Sequence, residues 1–238
     1  MSTTLQPESS SDARVDAPPI PKLESGDRLS LKEFRHRYEA MPHLKKAELI
    51  EGVVYVQAPV STEHHGHPHF SFVTSLGVYQ AGTPGTQGAD NATVRLDLDN
   101  EPQPDIFLRI LPEYGGQSSR EGAYAAGAPE WVGEIAASSA SYDLHDKLNA
   151  YRRKGVREYV VWRVFDREFD WFVLRDSQFV RLHPKDGVFR SEVFPGLWLD
   201  STAMLDGRLA DVLTLLQSGM NSEEHKTFVA ELAKKKTQ

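Results

Sequence analysis

Trp131-Val132-Gly133-Glu134-Ile135-Ala136, then residues 143–154, then Val156-Arg157-Glu158-Tyr159-Val160-Val161-Trp162 make up the stretch from which the fold is read. The outer segments are short, nearly continuous apolar runs of strand length. The middle one sets Leu144, Leu148 and Tyr151 on one stripe at helical spacing. Strand, helix and strand in succession form a crossover unit, which places the chain among α/β proteins. Upstream, Ile106-Phe107-Leu108-Arg109-Ile110 reads as a second interior strand, while Val94, Leu96 and Leu98 alternate with charged residues like a half-exposed one. A helix is predicted from near His64 or His69 to about Gln80, and residues 112–128 read as a loop with a weak helix. Further back, Val53-Val54-Tyr55-Val56 reads as a strand, and the capping box Ser30-Leu31-Lys32-Glu33 opens a helix over about 30–41. Downstream, segments 169–173, 179–182 and 188–193 suggest an antiparallel meander. Leu205, Leu209, Val212, Leu213 and Leu216 then share one face of a helix over 203–217.

Composition sets the limits. The 238 residues are 39% hydrophobic and 26% charged, which suits one domain with extensions. Residues 1–26, rich in Pro, Ser and acids, are expected to form a disordered tail. Residues 27–217 form the domain, and 218–238 a helical or mobile tail that closes on Lys234-Lys235-Lys236. No apolar run nears the roughly 20 residues that cross a bilayer, and none near the N-terminus resembles a secretion signal, so a cytoplasmic chain without membrane contact is expected. The absence of cysteine removes disulfides, thiolate chemistry and cysteine-based metal sites. A net charge of −7 argues against coating nucleic acid by bulk electrostatics but allows a locally basic groove around an acidic metal site.

Three ionisable residues stand where the pattern asks for apolar ones. Asp105 follows Pro104 at the opening of an interior strand, although Pro-Asp is also a turn dipeptide. Glu134 points away from the Trp131, Gly133 and Ile135 face, between Val132 and Ala136, so it is paired, protonated, exposed or metal-bound. Lys147 lies inside the apolar stripe of its helix, between Leu144 and Tyr151. From there it either snorkels to solvent or extends to a buried carboxylate such as Glu134. Two carboxylates at strand ends with an ammonium beside them are the components of metal-assisted phosphodiester hydrolysis, and oxygen ligands favour magnesium or manganese over zinc. His64, His65, His67 and His69 could suggest zinc, but they lack the i, i+4 helical spacing of hydrolytic sites. Arg152, Arg153, Lys154 and Arg157 are either a solvated face or a phosphate contact.

Taken together, Glu48-Leu49-Ile50-Glu51-Gly52, Gln103-Pro104-Asp105-Ile106, Glu134-Ile135-Ala136 with Ser138-Ser139, Asp143 through Asp146-Lys147 to Tyr151, and Gly155-Val156-Arg157-Glu158-Tyr159 resemble the Uma-type restriction endonuclease family of the PD-(D/E)XK nuclease superfamily. The resemblance spans about residues 27–200, in order. It implies a restriction endonuclease-like fold, a central mixed sheet flanked by helices. It implies Asp105 and Glu134 as metal ligands, with Glu48 as an extra acidic ligand at the end of the first helix. The superfamily's lysine belongs two residues after the second acid, where this chain has Ala136, so the resemblance assigns its role to Lys147. Ala137 stands where many relatives carry serine, and His64 where the family often has histidine. His64, Arg152 and Arg153 are accordingly expected to contact nucleic acid. The expected function is Mg2+- or Mn2+-dependent cleavage of DNA, with pairing into a homodimer where both strands are cut. The alternatives are a nuclease fold that binds nucleic acid or protein without catalysis, for which Ala136 speaks, and a histidine-centred zinc hydrolase.

Overall fold

The computed structural model describes residues 19–57 and 59–236. Helix α1 (Leu31–Glu39) starts at Ser30, whose hydroxyl accepts the Glu33 N–H. Strands β1 (Ala47–Ile50) and β2 (Val53–Val56) form a hairpin whose two turn residues, Glu51 (φ 55°) and Gly52 (φ 72°), are both left-handed. That turn matches the natural twist of a two-stranded ribbon. A π-helical turn (Thr62–Gly66) leads into α2 (His67–Ala81), then β3 (Thr86–Asp90), β4 (Val94–Arg95) and β5 (Ile106–Ile110). After β6 (Ser119–Glu121) and β7 (Tyr124–Ala126) comes the crossover unit: β8 (Trp131–Ala136), α3 (Ala140–Tyr142), a π-helical turn (Asp143–Lys147), α4 (Leu148–Lys154) and β9 (Glu158–Arg163). The chain continues through β10 (Glu168–Arg175), β11 (Gln178–Leu182), β12 (Val188–Arg190) and β13 (Trp198–Asp200) to α5 (Ser201–Leu205), α6 (Leu209–Met220) and α7 (Glu223–Lys236).

The central sheet runs β11-β10-β9-β8-β5-β3. Only β8 and β9 pair in parallel, as a crossover requires, and the other pairs are antiparallel. Alternation along β8 divides the core. Trp131 and Ile135 join Phe72, Leu76 and Tyr79 of α2 and the C-terminal helices on one face, whereas Val132 and Ala136 join Tyr151 and Tyr159 on the other. Glu134 shares the parity of Val132, so it is aimed at the face that α4 covers. This mixed sheet with helices on both sides is the architecture that the motifs imply.

Several expectations are corrected. Of the alternating stretch 94–99 only Val94 and Arg95 are a strand, because Asp97 accepts the Asp99 N–H and closes a turn that leaves Leu98 exposed. Strand β3 was not foreseen: Thr86-Gln87-Gly88-Ala89-Asp90 has no apolar pattern and is held at the sheet edge by backbone pairing to β5. Residues 112–128 hold a short 3-10 turn and the β6–β7 hairpin rather than a weak helix. β12 does not extend the β10–β11 meander but pairs with β13 in a separate ribbon. The helix over 203–217 breaks at Asp206-Gly207, with Gly207 at φ 72°. Of the expected tail, residues 1–18 lie outside the described residues, but Leu23 is buried against Leu31, Phe34 and Leu49. At the other end α7 buries His225 and Leu232.

Glu158, at the start of β9, is wholly buried and binds the next layer. Its carboxylate accepts from the Ser191 hydroxyl and from the Glu192 and Val193 N–H groups. Burial pushes its carboxyl up to about 7, against the pull of those three donors. A folded-state value above the unfolded one means stability that is full below the ordinary carboxylate range and lost as pH rises through about 7. Glu158→Gln keeps an acceptor for the two N–H groups and removes the ionisation. We expect its Tm to fall less than the wild type's between about pH 5 and 8, with a gap on the order of 5 °C at the upper end. Parallel Tm curves across that range would refute a titrating Glu158.

Candidate active site

The β5–β8 register pairs Ile106 with Gly133, so the next pair outward sets Asp105 opposite Glu134. The two are linked directly: the Asp105 N–H donates to Glu134 Oε2 at 3.3 Å, and the Ile135 N–H donates to Asp105 Oδ2 at 2.8 Å. Asp105 thereby bridges two strand ends.

Lys147 enters from the crossover. The π-helical turn Asp143–Lys147 precedes α4, whose Ala150 and Tyr151 are buried, and this seating directs the lysine toward the sheet. Its Nζ lies 2.9 Å from Glu134 Oε1, 3.0 Å from Glu48 Oε1 and 3.6 Å from Asp143 Oδ1, with the Tyr142 ring centroid 4.9 Å away. The Tyr151 hydroxyl also donates to Glu134 Oε1, at 3.1 Å. Glu48 is buried on strand β1, not at the end of a helix. One of its oxygens accepts the Gln103 N–H at 2.7 Å, and the other accepts from the Tyr142 hydroxyl and, at 3.3 Å, from Gln57.

On its outer side Asp105 meets Lys46 Nζ at 3.0 Å and His65 Nε2 at 3.2 Å, while His69 Nε2 lies 2.9 Å from its carbonyl oxygen. Asp105 and His65, with Glu134, Asp143 and Lys147, line a cavity of about 450 Å³ rimmed by Tyr55, Val60, His64 and Phe165.

Charge in the pocket is unbalanced. Four buried carboxylates (Glu48, Asp105, Glu134 and Asp143) face two lysines, Lys46 and Lys147. Burial pushes Glu134 up to about 8, helped by Asp105, Asp143 and Glu48 and opposed by Lys147. Burial likewise raises Asp143 to about 6. Burial also works against ionisation of Asp105, but the His65 hydrogen bond and the charges of Lys46 and Lys147 outweigh it and hold Asp105 well below the ordinary range. Glu48 is lowered too, since Lys147, Lys46, Tyr142 and the Gln103 N–H overcome its burial.

The structure thus brings Asp105, Glu134, Lys147 and Glu48 into one cluster, the first three lining the cavity and Glu48 buried behind Lys147. His64 sits on the rim, its ring 4.8 Å from Phe165, and its neighbours His65 and His69 make the contacts to Asp105. Arg152 donates to the Ser177 carbonyl and Arg153 pairs with Glu51, so neither lines the cavity. Sequence reasoning passed over Asp143, Tyr142, Lys46 and His65 as site residues. The i, i+4 spacing of Asp143 and Lys147 was a usable signal, whereas Lys46 and His65 reach Asp105 only through tertiary contacts. Among the described residues no group of three or more His, Asp or Glu is arranged to hold a metal ion by itself, the histidine cluster included. No helix there is long and apolar enough to cross a membrane.

Residues 31–202 match the family model Uma2, described as "Putative restriction endonuclease". Among matching solved structures is a "putative nuclease belonging to DUF820" from Anabaena variabilis, 15% identical, covering 79% of this chain and 99% of that one, with a TM-score of 0.54. At that identity the likeness speaks for the fold. No curated protein matches.

Proposed function

The chain belongs to the Uma2 restriction endonuclease family, and from that premise we propose that it is a divalent-metal-dependent endonuclease hydrolysing DNA phosphodiester bonds in the cytoplasm. The observation that carries this is the placement of Asp105 and Glu134 opposite each other on adjoining strands, the Asp105 N–H donating to Glu134 Oε2 at 3.3 Å, with both residues lining an open cavity.

The residues fit a hard divalent cation. Four carboxyl groups crowd against two ammonium groups, so that burial and mutual repulsion raise Glu134 and Asp143 where a cation would favour their ionised forms, and Asp143 Oδ1 is buried with no hydrogen-bond partner among the described residues. Magnesium keeps several waters and is usually held by one or two carboxylates plus substrate phosphate, so two ligands suffice. Asp105 and Glu134 would hold Mg2+ or Mn2+. Once bound, such an ion lowers the pKa of a coordinated water and offsets charge on the phosphate. The protein's own work is positional. Ile135 fixes Asp105 through its N–H, Tyr151 fixes Glu134, and Lys147 ties Glu134 to Glu48 and favours their ionised forms against the pull of burial. Glu48, expected among the ligands, is wholly buried and does not line the cavity as Asp105 and Glu134 do, and in this scheme it anchors Lys147.

Purified protein should nick or linearise plasmid DNA with Mg2+ or Mn2+ and lose that activity in EDTA. No metal-dependent cleavage of plasmid, linear duplex or single-stranded DNA would overturn the assignment. Metal binding should also raise Tm. At a concentration 100 times Kd the gain is about 2.7 kcal/mol, worth roughly 5–10 °C in a chain of this size. The rival module that binds without cutting, for which Ala136 speaks, predicts no such rise.

A further inference from the structure

Lys147 is committed to the buried carboxylates. Its ammonium lies 2.9, 3.0 and 3.6 Å from three of them, with an aromatic ring above it and a side chain only 1% exposed. Lys46 differs in each respect. Its side chain is 12% exposed, and among the described residues Asp105 Oδ1 is its one side-chain hydrogen-bond partner, which leaves donors unspent. It also lines a second cavity, of about 660 Å³, whose wall at Gln57, Pro59 and Val60 is shared with the site cavity. Lys45 and Lys46 supply the charge of that second cavity, with His43 beside them, and no carboxylate is among its described lining residues. In a protein of net charge −7, a recess with only basic charge that opens beside an acidic pocket is suited to a phosphate chain.

We propose that Lys46 is the substrate-contacting lysine. Its ammonium donates to a non-bridging oxygen of the scissile phosphodiester at the seam of the two cavities, and the basic recess takes the adjoining DNA backbone. This rests on the nuclease assignment and adds to it the side on which the strand leaves the site. Lys46 offsets the charge that builds on the phosphate as it is attacked, while Lys147 holds the carboxylates in register.

The test measures binding and cleavage separately. Binding of a fluorescein-labelled 20-base-pair DNA duplex is followed by anisotropy in EDTA across a KCl series, and cleavage of the same duplex is timed with Mg2+. The proteins are wild type, Lys46→Met, Lys46→Arg and the surface control Lys226→Met. For Lys46→Met the slope of log K against log salt should shrink by about 0.9, the loss of one phosphate contact. Its kcat/KM should fall at least about 100-fold, mainly through kcat. Lys46→Arg, which keeps the charge, should retain the wild-type slope and guard against misfolding as the cause, and the control should match wild type in both assays. If the wild type cuts while Lys46→Met keeps both slope and rate, the contact is overturned and the nuclease assignment stands. If the slope depends on Lys46 but no metal supports cutting, the contact stands and the nuclease assignment falls. No binding of the duplex and no cutting of it by the wild type would overturn both, and cutting without binding in EDTA would overturn the contact alone.

Discussion

Asp105→Asn should abolish metal-dependent DNA cleavage, by at least about 100-fold, in a protein that still folds. Loss of groups that merely support metal ligands already costs about 10- to 100-fold, and Asp105 is placed as a ligand itself. Asparagine can keep an oxygen toward the Ile135 N–H, so the link between β5 and β8 survives. Its amide NH2, however, carries no charge and faces the Lys46 ammonium, which turns an attractive contact into a donor–donor clash. Plasmid nicking with Mg2+ and Mn2+, read beside Tm and circular dichroism, checks both halves. Equal residual activity in wild type and variant would remove Asp105 from the chemistry.

Lys147→Met should be the most destabilising single change. It leaves Glu48, Glu134 and Asp143 buried without their shared cation. Removing one partner of a buried ion pair costs about 3–5 kcal/mol, or roughly 5–20 °C in Tm. Glu134→Gln should restore part of that loss in the double variant, because one of the stranded charges goes with it. Urea denaturation of both singles and the double closes the cycle. Additive losses would mean that Lys147 and Glu134 do not interact as charges.

The most legible part of this molecule was the part where local pattern and burial agree. β8 and β9 are apolar because both faces of the sheet are covered, so length and composition sufficed for the crossover unit. Parity alone put Glu134 on the face opposite Trp131, and helical spacing put Lys147 on the packed stripe. The meeting of Asp105 and Glu134 was beyond local reading, since it depends on the β5–β8 register, a pairing of segments about thirty residues apart. Glu48 was misread as a helix-end residue because a four-residue strand leaves too little pattern to distinguish. Lys46 and His65 gave no signal, because a surface lysine and one of four clustered histidines gain meaning only from the carboxylate they reach. β12 failed for a different reason: it pairs with β13 while its Phe189 stacks on Trp171 from the neighbouring layer, and no alternation within 188–193 encodes either contact.

The Trp131 face of the sheet is roofed by α5, α6 and α7, whereas every charged group in the pocket lies between residues 46 and 147. The strand that presents Glu134 thus takes its backing from a stretch it does not adjoin in sequence, and trimming 201–236 would strip the shelter from Trp131 and Ile135 and loosen the acidic cluster without touching one of its members.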